Sequence, residues 1–220
     1  MTRFGPAEFQ ARAAAGEQAM ADLHVFRELL AEWNGRMNLV GPSALGEFWL
    51  RHAWDSAQLF HVKHSPPSPE SLQPPPQSPP LTWADLGAGA GFPGVVLAIL
   101  LKGRPGARVH LVESQAKRCG FLTAVVEALD LPATVHHARA ESLALSVERV
   151  AARACAPVER LLDYTAPYLK RGAVGLFLKG GGVEAELTQA RARWKLRADL
   201  LPSLSDPSGR ILRVEGLSRA

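Results

Sequence analysis

The sequence predicts an α/β protein. Its core is a mostly parallel, seven-stranded, doubly wound sheet ending in an antiparallel hairpin, with a small N-terminal helical cap. Three observations carry that expectation. From Leu81 onward, short apolar runs of strand character alternate with amphipathic helical ones. A glycine-rich decapeptide, Asp85-Leu-Gly-Ala-Gly-Ala-Gly-Phe-Pro-Gly94, joins the first such run to the first helix after it. Finally, the last two runs are separated by Ser-Asp-Pro-Ser-Gly, which is too short for the crossover that a parallel partner needs.

In the cap, Met20, Leu23, Phe26, Leu30 and Trp33 recur every three or four positions between Gly16 and Trp33, the period of a helix with one buried stripe. A second helix is expected over Glu47 to Phe60, where Phe48, Trp49, Ala53 and Leu59 can face a core. The stretch between them, Trp33 to Pro42, reads as a turn-rich connector. Residues 1–63 therefore form the cap. From His64 to Pro80, eight of seventeen residues are proline, so residues 64–80 read as an extended linker. Residues 81–220 form the α/β domain. Its expected strands are Leu81–Leu86, Ala107–Val112, Ala133–His137, Val147–Ala152, Ala173–Leu178, Lys195–Leu201 and Arg210–Val214. Helices are expected at Gly94–Leu101, Gln115–Leu129, Val158–Leu169 and Val183–Trp194.

Bulk properties exclude several classes. An apolar fraction of 47% without an apolar run near eighteen residues argues for a sizeable core and against a membrane span. The first residues carry no charged-then-apolar export pattern. Two cysteines are too few for a disulfide framework or a zinc site, so a cytoplasmic protein without a metal is expected. The net charge is +4, unevenly spread: residues 1–60 hold five Lys/Arg against seven Asp/Glu, whereas Lys170 to Arg197 hold seven against two. That skew suits a polyanionic partner such as RNA, and the Lys170–Arg197 run is the expected backbone contact.

The decapeptide carries the chemistry. Gly87, Gly89 and Gly91 let the chain turn sharply and approach a ligand without a Cβ in the way, and strand, turn and helix N-terminus together make a nucleotide corner. Gly89, Gly91 and Gly94 satisfy the Gly-x-Gly-x-x-Gly spacing of dinucleotide sites, but the context differs. Asp85 ends the first strand where such sites have an apolar residue, and can hold an ammonium directly or through water. It can also simply cap the turn. Glu113 ends the second strand, where a carboxylate can accept both hydroxyls of a ribose or cap the following helix. Adenine would lie near Arg139-Ala-Glu-Ser142. S-adenosylmethionine has these handles and no pyrophosphate. Seven strands with a terminal hairpin is also the count of the class I S-adenosylmethionine-dependent methyltransferase variant of the Rossmann-like fold.

Several short motifs in one order carry a resemblance: Trp33-Asn-Gly-Arg-Met-Asn-Leu39, Arg51-His-Ala-Trp-Asp-Ser56, the decapeptide, Leu111-Val-Glu-Ser114, Lys117-Arg118, Phe121-Leu122, Arg139-Ala-Glu141, Arg153-Ala154 and Leu178-Lys-Gly180. From about Leu23 to Gly180 the chain resembles the bacterial 16S rRNA guanine-N7 methyltransferases, the glucose-inhibited division protein B family. The resemblance implies methyl transfer from S-adenosylmethionine to a guanine of 16S rRNA, in naked RNA or the small ribosomal subunit, by a monomer. It implies that Gly87, Phe92, Ala140, Glu141 and Arg153 line the cofactor site, with Phe92 an apolar wall. It also places Asn38, Arg139, Arg153 and Lys179 in the catalytic region. Two departures stand out: the long linker, and Glu148 where the family commonly has Asp.

Guanine N7 has a lone pair at neutral pH and no proton to lose, so its attack on a sulfonium methyl needs no general base. Positioning supplies the rate, roughly 7–11 kcal/mol in favourable cases. Donors from Asn38, Arg139, Arg153 or Lys179 can hold O6 or phosphate but must leave N7 free, which predicts polar fixation of the base with no essential histidine. His52 and Asp55 share a helix face and are expected to brace the cap against the α/β domain. The rival readings are a nicotinamide-dependent oxidoreductase, a cysteine-nucleophile methyltransferase using Cys155, and a non-catalytic S-adenosylmethionine- or RNA-binding module.

Overall fold

A computed structural model describes residues 4–62, 81–143 and 145–220. The expected linker, residues 64–80, lies outside the described residues. The sheet has seven strands: β1 (Thr82–Leu86), β2 (Arg108–Glu113), β3 (Ala133–His137), β4 (Arg149–Arg153), β5 (Val174–Lys179), β6 (Trp194–Pro202) and β7 (Arg210–Arg219). They lie in the order β3-β2-β1-β4-β5-β7-β6. The first five are parallel, and β7 runs antiparallel to both β5 and β6. The chain order reverses between β1 and β4, so their carboxyl ends flank the crevice where open α/β sheets bind ligands.

Alternation along each strand divides the core into two layers. Trp83, Val109, Leu111, Ala151 and Leu176 face α4 (Gly94–Leu101) and α5 (Ala116–Ala128). Ala84, Leu86, Val112, Val150 and Phe177 face α6 (Val158–Leu169) and α7 (Val183–Ala190). Helix α4 is apolar all round, and every residue from Gly94 to Ile99 is buried. It is covered by the sheet on one side and the cap on the other. Phe26, Leu30, Phe48, Ala53 and Leu59 of the cap share the α4–α5 layer.

The cap departs from expectation in three places. A first helix, α1 (Pro6–Ala13), precedes the expected one, started by Glu8 accepting from Gly5 N at 3.0 Å and by Pro6 in its first turn. Next, α2 (Glu17–Met37) runs through the first half of the expected connector. Gly35 is tolerated at an exposed position, and the helix stops one turn later at Asn38, whose φ of 50° turns the chain left-handed. Asn34 closes that stop, since its carbonyl accepts from Asn38 N at 3.1 Å and its side chain from Val40 N at 2.8 Å. Finally, the expected Glu47–Phe60 helix is a π-helical segment (Phe48–Trp54), one α-helical turn, α3 (Asp55–Ala57), and a 3₁₀ turn (Gln58–His61).

Glu148, the departure in sequence, sits at the amino end of β4. It accepts from Leu81 N, Thr82 N and Thr82 Oγ1 at 2.8–3.1 Å. It therefore clamps β1 to β4 at the edge opposite the glycine corner. The basic run is not one face either. Lys170 and Arg171 precede β5 and Lys179 ends it, a separation of about 20 Å along a strand, while Arg193 pairs with Glu159. Among the described residues no helix is long and apolar enough to cross a membrane.

Candidate active site

Parallel strands bring their carboxyl ends together, so Asp85, Glu113, Arg139–Glu141, Arg153 and Lys179 all reach one edge of the sheet. Asp85 is fully buried. One oxygen accepts from Gly94 N at 2.8 Å, at the start of α4, and the other has no hydrogen-bond partner among the described residues. Burial pushes its carboxyl up to about 7, against the pull of the Gly94 N–H and Arg153. An unpartnered buried carboxylate oxygen suits a cation, so the site fits the ammonium of an amino-acid-bearing cofactor, directly or through water.

The glycines of the corner do different jobs. Gly87, Gly89 and Gly91 all have positive φ. A Cβ on Gly91 would stand 2.7 Å from Val95 Cγ2, and one on Gly94 2.3 Å from Leu111 Cδ2 and 2.6 Å from the Asp85 carboxylate. Those two are packing glycines. A Cβ on Gly89 would meet no atom nearer than 3.6 Å, so that face is open to a ligand. Glu113 holds the corner from the next strand, with Oε2 accepting from Gly89 N at 3.0 Å and Oε1 from Gln115 N at 2.8 Å. Asp85 thus ties the end of the glycine turn to β1, the bland role foreseen for it, whereas Glu113 bonds Gln115 N just before α5 and takes no N–H of that helix. Each oxygen of Glu113 keeps a second lone pair for a hydroxyl.

Phe92 is only 3% exposed. Its ring lies 4.8 Å from His52, stacked, and 4.8 Å from the Arg153 guanidinium, with Phe26 and Phe48 at 5.3 and 6.0 Å. Most of its surface therefore joins the corner to the cap. Ala140 and Glu141 form a 3₁₀ turn after β3, with Arg139 immediately before it. The Arg139 side chain is 78% exposed.

Beside the corner opens a polar cleft of about 560 Å³. Arg153 and Lys179 line it, together with Arg51, His52 and Asp55 of the cap and Ser203, Asp206 and Arg210 of the β6–β7 hairpin. Arg153 is the hub. Its Nη1 donates to Arg51 O at 3.0 Å and His52 Nδ1 at 2.8 Å, and lies 3.6 Å from the Asp55 carboxylate. Asp55 also accepts from Ser205 Oγ and Gln58 Nε2, and Arg51 reaches Asp206 at 2.8 Å. Lys179 donates to Glu186 at 2.7 Å and Ala156 O at 3.1 Å, while Glu186 also accepts from Val158 N. Asn38 and Arg139 are not among the residues lining the cleft, although Gly41, Ser43 and Ala44, just beyond Asn38, are.

Cys155 lies against Gly87, its Sγ 2.9 Å from where a glycine Cβ would be. Burial and the nearby Asp85 and Glu113 carboxylates push its thiol up, the wrong direction for a nucleophile. Sequence reasoning missed the hairpin loop, Ser203 to Gly209, as a wall of the cleft. It also missed Arg51, although that residue lies in a motif already singled out.

A sheet of this order with its glycine corner at the carboxyl end of β1 is the class I S-adenosylmethionine-dependent methyltransferase fold. The model of the rRNA small subunit methyltransferase G family, GidB, matches residues 19–205. The chain belongs to that family. Ribosomal RNA small subunit methyltransferase G of Caulobacter vibrioides is 56% identical over 213 residues, 97% of this chain and 92% of that protein. Its counterpart from Caulobacter sp. (strain K31) is 58% identical over 213 residues, 97% and 90% of the two chains. That of Parvibaculum lavamentivorans is 42% identical over 212 residues, 95% and 88%. The chain is thus an S-adenosylmethionine-dependent methyltransferase acting on ribosomal RNA of the small subunit.

Proposed function

We propose that the methyl group goes to N7 of a guanine in 16S rRNA, in the cytoplasm. One observation carries this reading: the proton acceptors deep in the cleft are already engaged. His52 Nδ1 accepts from Arg153, Asp55 is shared among Ser205, Gln58 and Arg153, and Glu186 holds Lys179. A hydroxyl or exocyclic amine must lose a proton on methylation and calls for a free base. Guanine N7 loses none.

In this reading the glycine corner, Asp85, Glu113 and the Ala140–Glu141 turn hold the cofactor, with Phe92 contributing a buried edge. Bound there, S-adenosylmethionine supplies a methyl on a sulfonium, which a neutral nitrogen can take in line. Arg153 sets the shape between corner and cleft, and Lys179 offers charge to the RNA. Asn38 and Arg139, on the flanks, would meet the RNA outside the base pocket. A base whose Hoogsteen edge must be reached is best presented unstacked.

The test is transfer of labelled methyl from S-adenosylmethionine to 16S rRNA, naked and assembled in the 30S subunit, followed by mapping of the modified atom. Label on guanine N7 is the expected result. Label on a ribose hydroxyl, an exocyclic amine or C5 of a pyrimidine would sink the reading.

A further inference from the structure

We propose that His52 reads the acceptor base, its Nε2–H donating to O6 of guanine, so that this residue selects guanine over adenine. The inference rests on the N7 reading above and adds to it the group that recognises the base.

The tautomer follows from geometry. A guanidinium can only donate, so at 2.8 Å from Arg153 Nη1 the Nδ1 of His52 is an acceptor and carries no proton. The ring's proton is then on Nε2. No described residue takes that N–H in a hydrogen bond, and His52 lines the cleft. The ring is also held in place. It stacks on Phe92 at 4.8 Å with 24° between planes, and Arg153 is itself fixed by Arg51 O and Asp55. Burial, with Arg153 and Arg51 nearby, lowers the imidazole to about 4, so it stays neutral at physiological pH.

A neutral single donor is what the chemistry asks for. The Hoogsteen edge of guanine offers two acceptors, N7 and O6. A forked donor such as a free guanidinium would engage both and block the atom to be methylated. A fixed N–H can take O6 alone. Adenine presents an N6 amino group at the same place, and two donors would then face each other unpaired. The neighbouring cations are already engaged: Arg153 by His52, Asp55 and Arg51 O, and Lys179 by Glu186 and Ala156 O. This revises the expectation of base fixation without an essential histidine. His52 is still not a base.

The experiment is a cycle between protein and base. RNA carrying either guanosine or 2-aminopurine riboside at the mapped position is methylated by wild type, His52→Asn and His52→Gln. 2-Aminopurine keeps N7 and lacks O6. Asn keeps an acceptor near the Nδ1 position and has no donor at the Nε2 position, whereas Gln carries an NH₂ close to it. Wild type should lose about 10- to 100-fold in kcat/KM on replacing guanosine, the loss expected for one hydrogen bond to a buried partner. His52→Asn should show the same loss on guanosine and little further loss on 2-aminopurine. His52→Gln should recover most of the activity, and S-adenosylmethionine affinity should be equal in all three. Additive losses, or a wild type indifferent to O6, would overturn the assignment; the second needs no variant to fold. Wild-type label on an atom other than N7 would instead overturn the reading beneath it.

Discussion

The glycine corner and the polar cleft share one edge of one sheet, yet they are assembled in opposite ways. The corner is ten consecutive residues whose backbone makes the shape, with Asp85 and Glu113 bracing it from two adjacent strand ends. The cleft is made of side chains from three distant parts of the chain: the π-helical segment of the cap, the ends of β4 and β5, and the β6–β7 loop. Arg153, at the end of β4, holds Arg51, His52 and Asp55 of the cap, and Asp55 in turn holds Ser205 of the loop. A backbone-built site tolerates changes around it and fails on a single Cβ. A site built from side chains fails when its hub is lost.

The largest expected effect separates two glycines of the corner. Gly94→Ala must push a methyl into Leu111 and the Asp85 carboxylate, which should cost about 3 kcal/mol or prevent folding. Gly89→Ala meets open space but keeps a left-handed φ of 54°, worth about 1–2 kcal/mol. It should fold, and bind S-adenosylmethionine at least tenfold more weakly by calorimetry. Normal cofactor binding in Gly89→Ala would show that the open face of the corner is not the cofactor's seat.

Next comes the hub. Arg153→Ala leaves Asp55 without its cation and His52 without its donor. Breaking a buried pair from one side costs about 3 kcal/mol, and kcat/KM should fall by about 100-fold or more. Arg153→Lys should restore much of the stability but little of the rate, because an ammonium cannot lie flat against Phe92, 4.8 Å away, as the guanidinium does. Equal recovery of both would reduce Arg153 to a structural charge.

The two regions should also answer pH with opposite signs. Asp85 in the corner is raised from 3.8 to about 7. The folded state keeps a proton there that the unfolded state has lost, so stability falls as pH rises through that window. His52 in the cleft is lowered from 6.5 to about 4. The unfolded state binds the extra proton, so stability falls as pH drops from 6.5 toward 4. Asp85→Asn should therefore unfold at a higher temperature than wild type above pH 7 while losing cofactor affinity, and His52→Gln should flatten the acidic side alone. If Asp85→Asn melts at or below wild type at pH 8, its carboxylate is not strained in the free protein.

These regions differ equally in how far the sequence exposes them. Asp85, the glycines and Glu113 are local in sequence or one strand apart, and parallel topology alone brings their ends together. Most strand and helix spans in the α/β domain were legible for the same reason, with the Val158–Leu169 helix matching at both ends, although the expected Val183–Trp194 helix stops at Ala190 and Trp194 opens β6. The cap was less so. Gly35 inside α2 reads as a breaker, but it sits at an exposed position and the helix ends only where Asn34 accepts from Asn38 N and Val40 N. Nothing local in Ser203 to Gly209 announces that it closes a cleft. Its contacts are to Gln58, Asp55 and Arg51, about 150 residues earlier, and no periodicity records a contact of that range. Lys179 and Arg153 were found through motif resemblance, whereas Asn38 and Arg139, found the same way, lie off the cleft.

The smallest effect asks which way the mouth of the cleft faces. Arg51 and Asp206 pair at 2.8 Å there, with side chains 45% and 26% exposed. An exposed pair of this kind contributes under about 1 kcal/mol, so Arg51→Ala should barely move the melting temperature. Its consequence should appear with RNA. If Arg51 meets a phosphate, its loss lowers the slope of log affinity against log salt by about one. Asp206→Asn gives the converse. Asn keeps an oxygen for the Ser208 N–H and hydroxyl that hold Asp206 now, but no longer competes for Arg51. RNA binding should then tighten or hold, with the slope unchanged or steeper. A slope that ignores Arg51, with stability equally unmoved, would leave the pair as surface decoration and put the RNA backbone elsewhere on the cleft's rim, with Arg210 the next residue to substitute.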